Sequence, residues 1–179
     1  MKKRFYIFLY VGLYLLSSFL VFSPLDDYIV TSGHSIAFKS ADPSGKFTTI
    51  SGTVSYNESN PEATKVSLTI PVSSLSTGNG LMNKKAMTAE WFDQGKFPNI
   101  TFVSTSVKND KGELQIYGTM TAKGVQKTYL VKASIKKQGN KLTLSGRFPV
   151  NRISFGIGKK SETVPDIMNV SYTLPVIKK

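Results

Sequence analysis

Residues 64–72 read Thr64-Lys65-Val66-Ser67-Leu68-Thr69-Ile70-Pro71-Val72. Val66, Leu68, Ile70 and Val72 occupy alternate positions, with short polar or charged residues between most of them. Successive side chains of a strand point to opposite faces, so the spacing predicts a sheet with one apolar face. The same alternation returns over residues 141–150, through Leu142, Leu144, Phe148 and Val150, and over 170–176, through Val170, Tyr172, Leu174 and Val176. Weaker versions run over 28–38, 46–56, 100–107, 113–121 and 129–135. Short alternating segments at regular spacing predict an all-β antiparallel fold. About eight of them suit a small closed barrel with room for one ligand.

The intervening residues agree. Asp42-Pro43-Ser44-Gly45, Asn109-Asp110-Lys111-Gly112 and Gly139-Asn140 supply the types needed where a chain reverses. Residues 80–92 break the pattern. Met82, Ala86 and Ala89 recur at four and three, which predicts one short helix or helical turn ending near Trp91-Phe92, where the only Trp sits.

The chain has 179 residues, 40% hydrophobic and 19% charged, which fits one globular domain behind a short targeting segment. It has no Cys, which excludes disulfides, thiol nucleophiles and a cysteine-linked lipid. Lys2, Lys3 and Arg4 precede an apolar run over 5–22, the pattern of an export signal. Ser17, Ser18 and Ser23 are small enough to be cut beside, but Pro24 disfavours cleavage after Ser23. The run is also at the lower limit for crossing a bilayer. Residues 1–25 are therefore read as a signal peptide or an uncleaved inner-membrane anchor. Residues 26–179 are read as the exported domain, periplasmic or secreted.

Net charge is +12, and removing the three leading charges leaves 20 basic residues against 11 acidic. That balance suits anionic membranes or nucleic acid. The lysines are scattered, with pairs at Lys84-Lys85, Lys136-Lys137 and Lys159-Lys160, and the strand aromatics fall mostly on the apolar faces. Single-strand binders instead interleave exposed aromatics with basic residues. No nucleic-acid partner is expected. Membrane association stays open, as does the oligomeric state, a homodimer included.

Catalytic groups are scarce. His34 is the only His and reads as a hydrogen-bonding tip. Ser73, Ser74 and Ser76 lack a nucleophile elbow, and Gly158-Lys159-Lys160-Ser161 lacks the spacing of a phosphate loop. The pairs Asp26/Asp27 and Glu90/Asp93 read as solvated surface charge. No enzyme, metal or cofactor is expected. The sequons at Asn57, Asn99 and Asn169 matter only in a glycosylating host.

Five segments in order resemble a known family. They are Ser74-Leu75-Ser76-Thr77-Gly78-Asn79; Glu90-Trp91-Phe92-Asp93 with Lys96-Phe97-Pro98-Asn99-Ile100-Thr101-Phe102; Gly118-x-Met120-Thr121-x-Lys123-Gly124-Val125; Asn151-Arg152-x-x-Phe155-Gly156; and the opening His34-Ser35 with Ile36 and Phe38. Together they resemble the YceI-like proteins, exported bacterial lipid-binding proteins with a lipocalin-like barrel. The likeness runs from His34 to the end. One departure stands out: many members carry Arg-Asp-x-His-Leu where this chain has Met82, Asn83, Lys84, Lys85 and Ala86.

The resemblance implies an isoprenoid or fatty-acyl chain inside the barrel. The lining is then expected from Leu68, Ile70, Ile100, Phe102, Ile116, Val131, Leu144 and Phe148, with Trp91 and Phe92 closing one end. Arg152 is expected as a structural clamp, bonding to carbonyls or stacking on an aromatic ring. The pattern leaves a solid barrel open. In that case the domain is an envelope-tethered interaction module that binds a protein partner or an anionic membrane surface through its lysines.

Overall fold

The computed structural model describes residues 24–40 and 43–179. The basic stub and the apolar run over 5–22 lie outside the described residues, as does Asp42 of the first turn.

Among the described residues, eleven strand segments are joined in one sheet: β1 (Asp26–Val30), β2 (Ser35–Lys39), β3 (Ser44–Phe47), β4 (Ser51–Tyr56), β5 (Lys65–Pro71), β6 (Leu75–Ser76), β7 (Asn99–Asp110), β8 (Glu113–Ala122), β9 (Val125–Gln138), β10 (Lys141–Asn151) and β11 (Ile167–Lys178). Their order is β1-β4-β5-β7-β8-β9-β10-β11-β2-β3-β6, and β1 also pairs with β11, which closes the sheet on itself. Three corners, at 31–34, 48–50 and 72–74, split what are otherwise single strands: β1 leads into β2, β3 into β4, and β5 into β6. Counted by position, the chain forms an eight-stranded antiparallel barrel, as the alternation predicts.

The three corners lie side by side. Thr48 donates to the Ser74 carbonyl through its backbone N–H at 2.9 Å and its hydroxyl at 3.1 Å. Ser74 donates its own hydroxyl to the Pro71 carbonyl at 2.7 Å. The His34 ring lies between the carbonyls of Thr31 and Thr48, at 3.0 and 3.3 Å. His34 thus ties two corners together. The corners also shift register. Val30 faces Val176, yet Ser35 faces Thr173, so β1–β2 spends two more residues than β11 over that interval.

One end of the barrel is solid. Tyr28, Val54, Leu114, Ala133, Leu142 and Val176 are at most 2% exposed. They meet across the ladders as Tyr28 with Val54, Leu114 with Ala133, and Leu142 with Val176. Each side chain is the inward member of an alternating strand, and together they plug the bore with apolar groups.

The other end carries α1 (Gly80–Met87), begun by Asn79, whose side-chain oxygen accepts from the N–H groups of Leu81 and Met82. The helix is shorter than the three-and-four spacing suggests. The chain turns extended at Thr88, and Ala89 is exposed. Beyond the turn, the Trp91 N–H donates to the Thr88 carbonyl and the Phe92 N–H to the Ala86 carbonyl, at 3.0 Å each. Trp91 and Phe92 are therefore folded back beneath the helix instead of extending it.

Candidate functional site: an apolar cavity in the barrel

Above the solid base the barrel is hollow. Its cavity measures about 430 Å³, within the range of roughly 300–1,000 Å³ usual for ligand pockets. All ten residues expected in the lining stand on its wall: Leu68, Ile70, Trp91, Phe92, Ile100, Phe102, Ile116, Val131, Leu144 and Phe148. The ladders bring them together. Leu68 faces Phe102 and Ile70 faces Ile100 across β5 and β7, while Ile116 faces Val131 across β8 and β9. Leu144 and Phe148 face Leu174 and Val170 across β10 and β11.

Other wall residues lie outside the expected set. Phe38, Phe47, Met120, Phe155, Ile157 and Val164 also line the cavity. Phe47 and Phe92 meet edge to face, with centroids 6.3 Å apart. Ile157 and Val164 belong to a strap between a short 3-10 turn at Ile153–Phe155 and β11, a stretch without alternation. Only the long-range contacts below put them in place.

Those contacts centre on Arg152, which is 3% exposed. Its Nε donates to the Pro165 carbonyl at 2.9 Å. Its Nη1 donates to the carbonyls of Ile157 and Lys159, both at 2.9 Å. Its Nη2 donates to the Val164 carbonyl at 2.7 Å and to an Asp166 carboxylate oxygen at 3.5 Å. A guanidinium has five N–H donors, and all five are engaged. Arg152 therefore gathers the strap against the barrel, and its charge faces Asp166. The guanidinium carbon also lies 5.5 Å from the Trp91 ring centroid. Gly158 makes room for this packing: with φ at +66°, a Cβ there would sit 2.9 Å from Arg152 Nη1 and 3.1 Å from the Trp91 ring.

One side of the cavity is closed by rings rather than by a ladder. β9 and β10 pair from Gln138 with Lys141 to Ser134 with Ser145. Beyond that point β9 stays on β8 and β10 stays on β11. Tyr129 stacks on Phe155 at 5.8 Å between centroids and meets Phe148 at 6.4 Å. Phe148 meets Tyr172 at 6.2 Å. Tyr172, on β11, donates its hydroxyl to the Lys132 carbonyl of β9 at 2.8 Å. The rings fill the gap in the ladder. Burial, reinforced by the Glu113 carboxylate, pushes the Tyr172 hydroxyl far above the usual phenol range.

At the α1 end, Met82, Lys85, Trp91 and Thr77 reach the cavity. The Lys85 ammonium lies 5.6 Å from the Trp91 ring centroid. Among the described residues, the buried Trp91 indole N–H has no hydrogen-bond partner. Among the described residues no group of three or more His, Cys, Asp or Glu side chains could hold a metal. Also among the described residues, no helix is long and apolar enough to cross a membrane.

The sequence profile of the YceI-like domain matches residues 27–176. The chain belongs to the YceI-like domain family. Among its relatives, Protein YceI from Salmonella arizonae and from Salmonella newport are each 40% identical over 96 residues, 54% of this chain and 50% of theirs. The alignment thus spans about half the length of these curated relatives. Solved structures share the YceI-like barrel. BcnA of Burkholderia cenocepacia superposes with a TM-score of 0.73 at 23% identity, over 83% of this chain and 95% of that one. The Campylobacter jejuni YCEI protein gives 0.70 at 21% identity, over 79% and 87%. A polyisoprenoid binding domain from Saccharophagus degradans, implicated in plant cell wall breakdown, gives 0.67 at 11% identity, over 87% and 99%.

Proposed function

We propose that this chain is a non-catalytic binder and carrier of a lipid-like amphiphile, with an isoprenoid or fatty-acyl tail held in the barrel, working in the cell envelope after export. The observation that carries the reading is the cavity. It is closed at the base by Tyr28, Val54, Leu142 and Val176, and its wall is almost wholly apolar. The polyisoprenoid-binding description of the Saccharophagus degradans domain supports the ligand class. The basic stub and apolar run at the N-terminus support export.

Magnitudes favour a long tail. Each methylene taken from water is worth about 0.8 kcal/mol, so about ten give roughly 8 kcal/mol. Association costs roughly 4–15 kcal/mol in lost freedom. Short tails barely offset that cost, and tight binding calls for a longer chain that follows the bore towards the α1 end.

The test is native mass spectrometry with organic extraction on the chain purified from a bacterial host. A stoichiometric co-purifying lipid is the expected result. A ligand-free protein that also refuses added isoprenoids and fatty acids overturns the carrier reading. It would favour an interaction module acting through surface lysines, recognisable by salt-sensitive liposome binding.

A further inference from the structure

We propose that the α1 end of the cavity is a head-group subsite selecting an anionic amphiphile, a carboxylate or phosphate monoester, through the Lys85 ammonium and the Trp91 indole N–H. The inference rests on the carrier reading and adds the ligand's polar end.

It follows from which polar groups of the wall are already engaged. Among the described residues, those lining the cavity whose side chains carry a nitrogen or oxygen are Thr77, Lys85, Trp91, Arg152, Thr163 and Tyr172. Thr77 is bonded to Asn83 Oδ1 at 2.8 Å and accepts from the Asn79 N–H at 3.3 Å. Thr163 is paired with the Ser161 hydroxyl at 2.9 Å. Tyr172 donates to the Lys132 carbonyl. Arg152 has no N–H to spare. Among the described residues two groups are left: the Lys85 ammonium, which lies over the Trp91 ring without a carboxylate partner, and the buried Trp91 N–H, which has no acceptor.

Both are donors. A buried N–H without an acceptor costs free energy that a ligand's oxygen can recover. An ammonium beside an apolar bore favours an anion over a neutral dipole. A hydroxyl or amide head group could satisfy the indole but would leave the Lys85 charge uncompensated. Lys85 belongs to the five-residue stretch in which this chain departs from the Arg-Asp-x-His-Leu pattern, so the selectivity is a property of this sequence. The subsite also lies at the end of the bore opposite the solid base, where a head group can stay near water while its tail runs inward.

The test compares palmitic acid, hexadecyl phosphate and hexadecanol, which share one tail, at a mildly alkaline pH where both acids are ionised. Inorganic phosphate has the charge without the tail. The full chain is expected to bind the two anions at least about tenfold tighter than the alcohol, with inorganic phosphate not binding. Lys85→Met sits on an exposed helix and should fold normally. It is expected to bring the anions to the alcohol's affinity, so that the preference between them is lost. Lys85→Arg is expected to retain the preference. Trp91→Phe, which keeps a ring and removes the N–H, should weaken all three amphiphiles. Equal binding of acid and alcohol by the unaltered chain overturns the subsite, as does a preference that survives in Lys85→Met. Inorganic phosphate binding as tightly as hexadecyl phosphate also overturns it. Failure of the alcohol and both anions to bind overturns the carrier reading beneath it.

Discussion

Tyr172 reaches across β10 to hydrogen-bond the Lys132 carbonyl on β9 at 2.8 Å, spanning two strands that do not pair at that level. The bond ties the ring-filled side of the cavity together. Tyr172→Phe should cost about 1 kcal/mol near neutral pH, read by urea unfolding. Its pH signature is more specific. The folded hydroxyl holds its proton above the ordinary phenol value of 10.0, because burial and the nearby Glu113 disfavour the phenolate. The unfolded chain then loses this proton first, so the contribution is complete below about pH 10 and declines as pH rises further. Melting temperatures between neutral and strongly alkaline pH should fall less steeply in Tyr172→Phe than in the parent. Parallel slopes would contradict this.

Gly146 makes that reach possible. A Cβ at this position would lie 2.1 Å from the Lys132 carbonyl oxygen and 2.9 Å from the Tyr172 hydroxyl. Gly146→Val therefore forces β9 and β10 apart and should destabilise by about 1–3 kcal/mol, more than Tyr172→Phe alone. Denaturant midpoints of the two single variants and the double variant check this. The double should be less costly than the sum, since both break the same contact.

Arg152→Ala should be among the most damaging single changes. It leaves the carbonyls of Ile157, Lys159, Val164 and Pro165 without their donor. A loss of about 3–5 kcal/mol is expected, a fall in melting temperature on the order of 10 °C. Arg152→Lys should recover little, because an ammonium cannot present five donors in a planar fork. A melting temperature that holds while ligand affinity collapses would show that Arg152 serves the ligand rather than the strap.

The two ends of the barrel should respond in opposite ways. Ala122 is on the cavity wall, so Ala122→Phe should occupy ligand space while the chain stays folded. Amphiphile recovered in native mass spectra should fall. Leu142 is wholly buried in the base and away from the cavity. Leu142→Ala should cost about 2–5 kcal/mol in unfolding experiments, and the protein that remains folded should keep its ligand.

Sequence and structure agree where side-chain direction alone decides position. Val66, Leu68, Ile70 and Leu144 point inward because alternation allows nothing else. Prediction stops short where the ladder continues without apolar alternation. β9 begins at Val125, ahead of the expected residue 129, because Gln126, Lys127 and Thr128 pair with β8 through their backbones. The helix pattern misleads at Ala89, where the chain has already turned at Thr88. The strap is legible only through Arg152, since Ile157 and Val164 have no periodicity of their own and are placed by bonds to one guanidinium. Lys85 is conspicuous in sequence for what it replaces, and its place beside Trp91 is apparent only in three dimensions.

The aligned corners of the first three strand positions have a consequence for how wide the bore can be. A closed barrel of uninterrupted strands has a single girth, fixed by strand number and stagger. Here β2, β3 and β6 are offset from β1, β4 and β5 by corners held with side-chain bonds from His34, Thr48 and Ser74. That panel of wall, carrying Ile36, Phe38, Phe47 and Leu75, is stepped by two residues from the base against the unbroken β11. The calibre of the upper barrel therefore depends on that step as well as on strand number and stagger.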